Sequence, residues 1–154
     1  MAPFVMTSKE EREMSVEENK AIVRRYFEEE NKKNVAVVDE LITANFVGHG
    51  AGGQEVHGPE GLKQLWTTLF TGFPDYHATV EDLIAEGDKI VVRYTNWGTH
   101  NGEYLDTAPT GKQVTWTGML IFRIVGGKVI EGWRETDALS LMQQIGAIPT
   151  PGQG

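Results

Sequence analysis

The sequence predicts an α+β fold in which helices cover one side of an antiparallel sheet. Up to Pro74, apolar residues recur at helical spacing, with capping residues and a proline at the expected ends. From Tyr76 onward the chain is rich in alternating β-branched and aromatic residues, which is typical of strands. Helices that precede and cover an antiparallel sheet make an α+β domain. A strongly curved sheet closed by these helices would form a cone with an interior cavity.

Composition limits the classes of function. The chain has 154 residues, with 14 Lys and Arg against 22 Asp and Glu, so its net charge is −8. This acidic balance argues against a nucleic-acid partner, and no apolar run approaches the ~20 residues of a membrane span. The absence of cysteine excludes disulfides, thiolate metal sites and a cysteine nucleophile. We expect a cytoplasmic protein with one domain over residues 15–149, a flexible N-terminal extension over 1–14 and a flexible tail over 150–154.

Three helices are predicted before the sheet. Ser15 and Glu18 fit a capping box that begins a helix ending near Asn31. Asn34 can cap a second, shorter helix, and Pro59 occupies the first position of a third. Each carries an apolar stripe that predicts one buried face.

Four antiparallel strands and a last short helix follow. Glu-Gly-Asp and Gly-Gly turns join the strands in two hairpins. The predicted strands are 76–85, 89–100, 114–125 and 128–136. Asp137 then stands at a helix start and Gly146 at its end.

The last predicted strand ends in aromatic, charged and hydroxyl residues that could contribute to a binding or catalytic site. Because side chains alternate, Trp133 and Asp137 share one face, while Arg134 and Thr136 share the other. Two roles compete for Asp137: a carboxylate that faces the interior, or only the N-cap of the last helix. Gly118, among large residues of the preceding strand, suits a bend in the sheet or the approach of a ligand. Tryptophans here fit either core positions or the wall of an apolar-ligand site.

Common catalytic motifs are absent. The sequence has no phosphate-binding loop, no Gly-x-Ser-x-Gly and no His-Glu-x-x-His. Its four histidines show no metal-ligand spacing, so we expect no metal. These histidines are His49, His57, His77 and His100.

Several short motifs occur along residues 15–149. The C-terminal stretch is the most specific part, with Trp133, Asp137-Ala138-Leu139 and Gln143-Gln144-Ile145-Gly146. The other motifs are Phe46-Val47-Gly48-His49, Gly58-Pro59-Glu60-Gly61, Phe73-Pro74-Asp75, Gly111-Lys112, Phe122-Arg123-Ile124 and Gly127-Lys128-Val129-Ile130-Glu131. With these motifs the sequence resembles the SnoaL-like polyketide cyclase family over nearly its whole length.

The resemblance implies a cone-shaped α+β barrel of the nuclear-transport-factor-2-like class that dimerises through its sheet. It implies cofactor-free acid/base catalysis, such as an aldol-type cyclisation, on an apolar carbonyl-bearing substrate. The family's aspartate at the end of the last strand corresponds to Asp137, and we expect His49 and His100 to assist it. The expected substrate-binding residues are Trp116, Trp133, Tyr26, Tyr94, Phe46 and Trp66.

Two other functions stay open. An epoxide hydrolase of the same fold uses an Asp-Arg-Asp relay, but the matching strand reads Arg93-Tyr94-Thr95 and lacks the second acid. A non-catalytic small-molecule-binding protein would keep the pocket without turnover.

Overall fold

The fold is α+β, as predicted. The computed structural model describes residues 3, 5–50 and 53–152, with the side chains of 11–14 outside the description. Its elements are α1 (Ser8–Asn31), α2 (Val37–Leu41), β1 (Ile42–His49), β2 (Glu55–His57), α3 (Gly58–Gly72), β3 (His77–Glu86), β4 (Lys89–Thr99), β5 (Gln113–Val125), β6 (Lys128–Thr136) and α4 (Ala138–Gln144). In the part of the chain described, no helix is long and apolar enough to cross a membrane.

The first helix is capped eight residues earlier than predicted. Thr7 is its N-cap: the Thr7 hydroxyl accepts from the Glu10 amide at 3.1 Å, and Glu10 accepts from the Thr7 amide at 2.7 Å. The predicted start at Ser15 is therefore wrong, and residues 8–14 of the expected extension lie in α1. Both segments fit the same capping pattern, and the residues before Ser15 include good helix formers such as Lys9 and Glu10, so the helix extends back to Thr7.

The region after α1 contains two strands that sequence patterns did not predict. Asn34 does not cap α2, because its side-chain amide donates to Glu29 at 2.7 Å and α2 begins after Ala36. Residues 42–49 form β1, which pairs in parallel with β6 and antiparallel with β2. Asparagine and glycine weaken the strand pattern of this segment, and its partner lies more than 80 residues away in the sequence.

The six strands form one sheet in the order β2-β1-β6-β5-β4-β3. The four predicted strands pair antiparallel with their sequence neighbours, as expected. Among the strands of the described residues, β1 and β6 pair in parallel, which departs from the expected antiparallel sheet.

One face of the sheet packs against α1 and α3 and forms the core. Alternate residues of β4 and β5 are buried on this inner face, and helix side chains such as Val23, Phe27 and Trp66 cover them. The buried residues of the two strands include Ile90, Val92, Tyr94, Asn96, Val114, Trp116, Leu120 and Phe122.

In β6 the inner face carries Arg134 and Thr136, whereas Trp133 points to the outer face. A register shift separates the pairs Ile124↔Val129 and Arg123↔Glu131, so alternation restarts after Val129. On the outer face the Trp133 ring stacks on His49 with centroids 5.6 Å apart. The inward orientation expected for Trp133 is therefore wrong.

Candidate functional site

A pocket of about 270 Å³ lies between the inner face of the sheet, α3 and α4. Most of its wall is aromatic or aliphatic, which is the usual character of a small-molecule site. We call it the main pocket; its lining includes Trp66, Leu69, Asn96, Tyr104, Trp116, Arg134, Thr136 and Leu141. A smaller side pocket of about 50 Å³ shares Arg134 with it and is lined by Tyr26, Phe46, Gly48, His49, Leu62, Leu120 and Phe122, among others.

Arg134 is the charged group that the two pockets share. Within the described residues, no side chain forms a hydrogen bond or ion pair with its guanidinium, although Arg25, Arg93 and Arg123 each pair with an acid. Burial acts to lower the pKa of Arg134, but the nearby acidic groups of Tyr94, Tyr26, Glu30 and Tyr76 outweigh it and raise that pKa. Arg134 is thus a permanent cation whose N–H donors face an apolar pocket.

A close contact between β4, β5 and β6 lies two residues beyond Arg134. Thr136 lies opposite Gly118, and the Tyr94 ring crosses that glycine to bring its hydroxyl within 3.0 Å of Thr136 Oγ1. A Cβ at Gly118 would lie 2.5 Å from Tyr94 Cζ. The gap that Gly118 predicted is therefore filled by Tyr94 and not by a ligand.

A buried hydrogen-bond network adjoins the main pocket. The Tyr76 hydroxyl lies 3.1 Å from Glu30 Oε1 and 2.9 Å from Oδ1 of Asn96, which lines the pocket. Burial raises the pKa of Glu30 to about 7, against the opposing effects of the Arg134 charge and the Tyr76 hydrogen bond. This carboxyl therefore titrates near neutral pH inside the protein.

Sequence reasoning did not select Arg134, Glu30 or Tyr76, although two signals were available. Glu30 follows Val23, Tyr26 and Phe27 at helical spacing, so it lies on the buried stripe of α1. A charged residue at a core position usually marks a specific role. Arg134 gave a weaker signal, because alternation shows a cation on the same face as Ile130 and Gly132 but does not show that this part of the face is the inner one.

A comparison of sequences decides the family. The family model of the SnoaL-like polyketide cyclases matches residues 20–145. The chain belongs to this family. Among curated proteins, none matches the chain.

Solved structures of three proteins are similar to this chain over most of their length. A candidate SnoaL-like polyketide cyclase from Jannaschia sp. CCS1 is 32% identical, with 86% of this chain and 94% of that protein covered and a TM-score of 0.79. AclR, a candidate hydroxylase from Streptomyces galilaeus, is 27% identical, with coverage of 88% and 85% and a TM-score of 0.80. IdmH, a candidate polyketide cyclase from Streptomyces antibioticus, is 27% identical, with coverage of 83% and 98% and a TM-score of 0.75.

In this SnoaL-like protein, Asp137 lies outside both pockets. It is exposed, and its Oδ1 accepts a hydrogen bond from the Ser140 amide at 3.1 Å, so it is the N-cap of α4. The expected orientation of Asp137 into the interior is not found. Because β6 ends at Thr136, the chain turns before Asp137 and presents it to solvent.

The two histidines predicted to assist lie apart. His49 lines the side pocket, and its Nε2 lies 2.8 Å from Glu131 Oε2, while its Nδ1 is 3.9 Å from Glu55. His100 is fully buried against Phe73 and lines neither pocket. Its Nδ1 lies 3.0 Å from the Thr110 hydroxyl, and its Nε2 has no partner among the described residues.

The predicted substrate-binding residues divide into two groups. Trp66 and Trp116 line the main pocket, and Tyr26 and Phe46 line the side pocket. Tyr26 accepts a hydrogen bond from the Trp66 indole at 3.1 Å, and burial raises its pKa far above the ordinary value. Tyr94 and Trp133 line neither pocket: the first packs beneath Gly118 and the second lies on the outer face.

Proposed function

We propose that this SnoaL-like protein binds an apolar, carbonyl-bearing small molecule in the main pocket and catalyses cofactor-free acid/base chemistry at the carbon next to the carbonyl, as in an aldol-type cyclisation. The observation that carries the proposal is Arg134: a guanidinium without a protein partner, directed into a pocket with apolar walls. Such a group binds an oxygen that gains negative charge during reaction.

The pocket's physical character supports this role for Arg134. Hydrogen-bond donors held in a water-poor site stabilise an enolate oxygen far better than they do in bulk water. The planar guanidinium offers more than one N–H to the same oxygen. Trp66, Trp116 and Leu141 supply apolar contacts for a hydrocarbon skeleton, and the family membership favours a small-molecule substrate.

We assign the proton transfer to His49. Glu131 accepts from His49 Nε2–H, which leaves Nδ1 as the basic nitrogen. His49 and Arg134 both line the side pocket. The His49 ring, however, stacks on Trp133 on the outer face, and its Nδ1 is 3.9 Å from Glu55. The proposal therefore requires this ring to turn from Trp133 toward the pocket, where it meets a substrate bound to Arg134. His49 would remove a proton from the carbon beside the carbonyl, while Arg134 binds the enolate oxygen. The enolate carbon then bonds to a second carbonyl carbon of the same molecule, and the imidazolium returns the proton to the resulting alkoxide.

Exchange of the acidic C–H protons of β-tetralone in heavy water tests the proposal without the natural substrate. NMR follows the loss of the proton signal for the wild type, Arg134→Met, His49→Gln and the control His77→Gln, whose exposed side chain stacks on Trp97. We expect exchange to slow by at least about 10² in Arg134→Met and by about 10²–10⁴ in His49→Gln. His77→Gln should match the wild type.

The possible outcomes separate the alternatives. If β-tetralone binds and the wild type does not accelerate exchange, the chain is a binding protein and the catalytic proposal fails. If His49→Gln exchanges at the wild-type rate, His49 is not the base. An unchanged rate in Arg134→Met would remove the central residue of the proposal.

We also propose that the protein is a homodimer that associates through the outer face of the sheet. In the strand register, Ile84, Val91, Ile121 and Trp133 form a continuous row across β3, β4, β5 and β6. Beside this row Met119 is 53% exposed. An apolar row of this length on the surface of a monomer favours contact with a second copy.

A further inference from the structure

The Tyr76 hydroxyl lies between two oxygen atoms but has only one hydrogen. Its oxygen is 3.1 Å from Glu30 Oε1 and 2.9 Å from Asn96 Oδ1. An ionised carboxylate and an amide oxygen are both acceptors. With Glu30 ionised, one of these two contacts would therefore bring two oxygens together without a hydrogen between them. A buried contact of this kind is costly.

Two arrangements place one hydrogen in each of the two contacts of Tyr76. In the first, Glu30 is protonated and donates to Tyr76, and Tyr76 donates to Asn96 Oδ1. In the second, Glu30 is ionised and accepts from Tyr76, while the Asn96 amide turns over so that its Nδ2 donates to Tyr76. The two orientations of an asparagine amide occupy the same space. The proton on Glu30 and the orientation of Asn96 are therefore coupled.

The atom of Asn96 that does not face Tyr76 is Nδ2, and it is not among the fully enclosed polar atoms that lack a partner, so we infer that it is the atom at the wall of the main pocket. Asn96 lines that pocket, and no described residue accepts a hydrogen bond from its Nδ2. We propose that Glu30 sets the hydrogen-bond preference of the pocket through Tyr76 and Asn96: with Glu30 protonated the wall donates to a carbonyl oxygen, and with Glu30 ionised it accepts from a hydroxyl. This inference rests on the proposed function of the pocket only for the class of ligand.

The groups around Glu30 determine the pH range in which its carboxyl loses the proton and the Asn96 amide turns over. Arg134 of β6 faces it and favours the ionised form, whereas burial favours the protonated form and raises the pKa to about 7. Tyr26 of α1 and Tyr76, which precedes β3, also interact with Glu30, and both stay neutral because burial raises their pKa values. Tyr94 of β4 interacts with Tyr76 and Arg134. Below about pH 7 we expect Asn96 to donate a hydrogen bond into the main pocket, and above about pH 7 we expect it to accept one.

NMR of the Asn96 side-chain amide tests the coupling in the protein without ligand. Its signals, assigned by their loss in Asn96→Leu, are followed from about pH 5.5 to about pH 8. In the wild type and in the control Glu28→Gln, whose side chain is exposed on the same helix, we expect a shift with a midpoint near 7. Glu30→Gln and Tyr76→Phe should abolish it. Signals that do not titrate in the wild type, or that still titrate in Glu30→Gln, would overturn the inference.

Matched ligands test the consequence for binding. β-Tetralone offers only an acceptor oxygen, β-naphthol can donate, and tetralin has no oxygen. By calorimetry, β-tetralone should lose about fivefold in affinity relative to tetralin as the pH rises through 7. It should lose about as much relative to β-naphthol, whose hydroxyl can both donate and accept and so pairs with either form of the wall. Glu30→Gln should show neither change.

Failure of this inference is distinguishable from failure of the proposed function. If none of the three ligands binds at any pH, the proposed function fails, while the Asn96 titration still decides the coupling. If the ligands bind with affinity ratios that do not depend on pH, the coupling does not set the preference of the pocket and the inference is overturned.

Discussion

Glu30 makes the stability of the fold depend on pH in a direction opposite to that of most carboxylates. Its pKa is about 7 in the folded protein against an ordinary value of 4.5, and burial is the main cause. Between these two values the folded chain holds a proton that the unfolded chain has released. The stabilisation from this proton is fully present below the unfolded pKa and is lost as the pH rises through the folded pKa. Glu30→Gln removes the titration and keeps the size of the side chain.

The expected magnitude follows from the two pKa values. Raising the pKa from 4.5 to about 7 corresponds to about 3 kcal/mol of unfolding free energy. Most of this, about 2–3 kcal/mol, is lost between about pH 5 and about pH 8. Relative to the wild type, Glu30→Gln should therefore gain about 2–3 kcal/mol over that interval.

Urea unfolding at the two pH values measures this difference. Subtracting the wild-type curve from that of Glu30→Gln cancels every other titrating group that the substitution leaves unchanged. Glu28→Gln, an exposed change on the same helix, is the control and should show no such gain. A difference between Glu30→Gln and the wild type that is the same at both pH values would refute the reasoning.

Three further substitutions test the fold, the N-cap and the dimer. Gly118→Ala should destabilise the protein by about 1–3 kcal/mol because its Cβ would lie 2.5 Å from Tyr94 Cζ. The control Gly132→Ala should destabilise it less, since the nearest atom to its Cβ would be 3.5 Å away. Equal losses of stability in thermal unfolding would contradict this. Asp137→Asn should change the free energy of unfolding by less than about 0.5 kcal/mol, since asparagine caps a helix about as well as aspartate, and it should leave the rate of β-tetralone exchange unchanged. A rate loss of 10-fold or more, which corresponds to about 1.4 kcal/mol in the activation barrier, would return Asp137 to the mechanism. Met119→Glu should dissociate the proposed dimer in sedimentation while Met119→Leu retains it, and a wild-type monomer at micromolar concentration would argue against the interface.

Local patterns were sufficient to predict the four long strands and their order. Each of β3 to β6 pairs with its sequence neighbour through a short turn, so periodicity and glycine turns define it. β1 was missed because its main partner is β6, far along the chain, and only tertiary pairing makes this segment a strand. The early start of α1 depended on a choice between two capping boxes that the sequence alone leaves equal.

The candidate site was predicted only in part, for a physical reason. Trp66 and Trp116 line the main pocket because large aromatic residues at regular spacing belong to a buried face. The register shift in β6 reversed the face of Trp133 and brought Arg134 inward, and strict alternation cannot show such a shift. The Glu30–Tyr76–Asn96 network joins three distant segments, so no local spacing reveals it.

A crystal structure of the protein with β-tetralone tests the central claim most directly. The account predicts the ring system between Trp66 and Trp116 in the main pocket, with the ketone oxygen about 2.7–3.2 Å from a nitrogen of the Arg134 guanidinium. A ligand bound elsewhere on the protein, or a ketone oxygen in the main pocket directed away from Arg134, would contradict it.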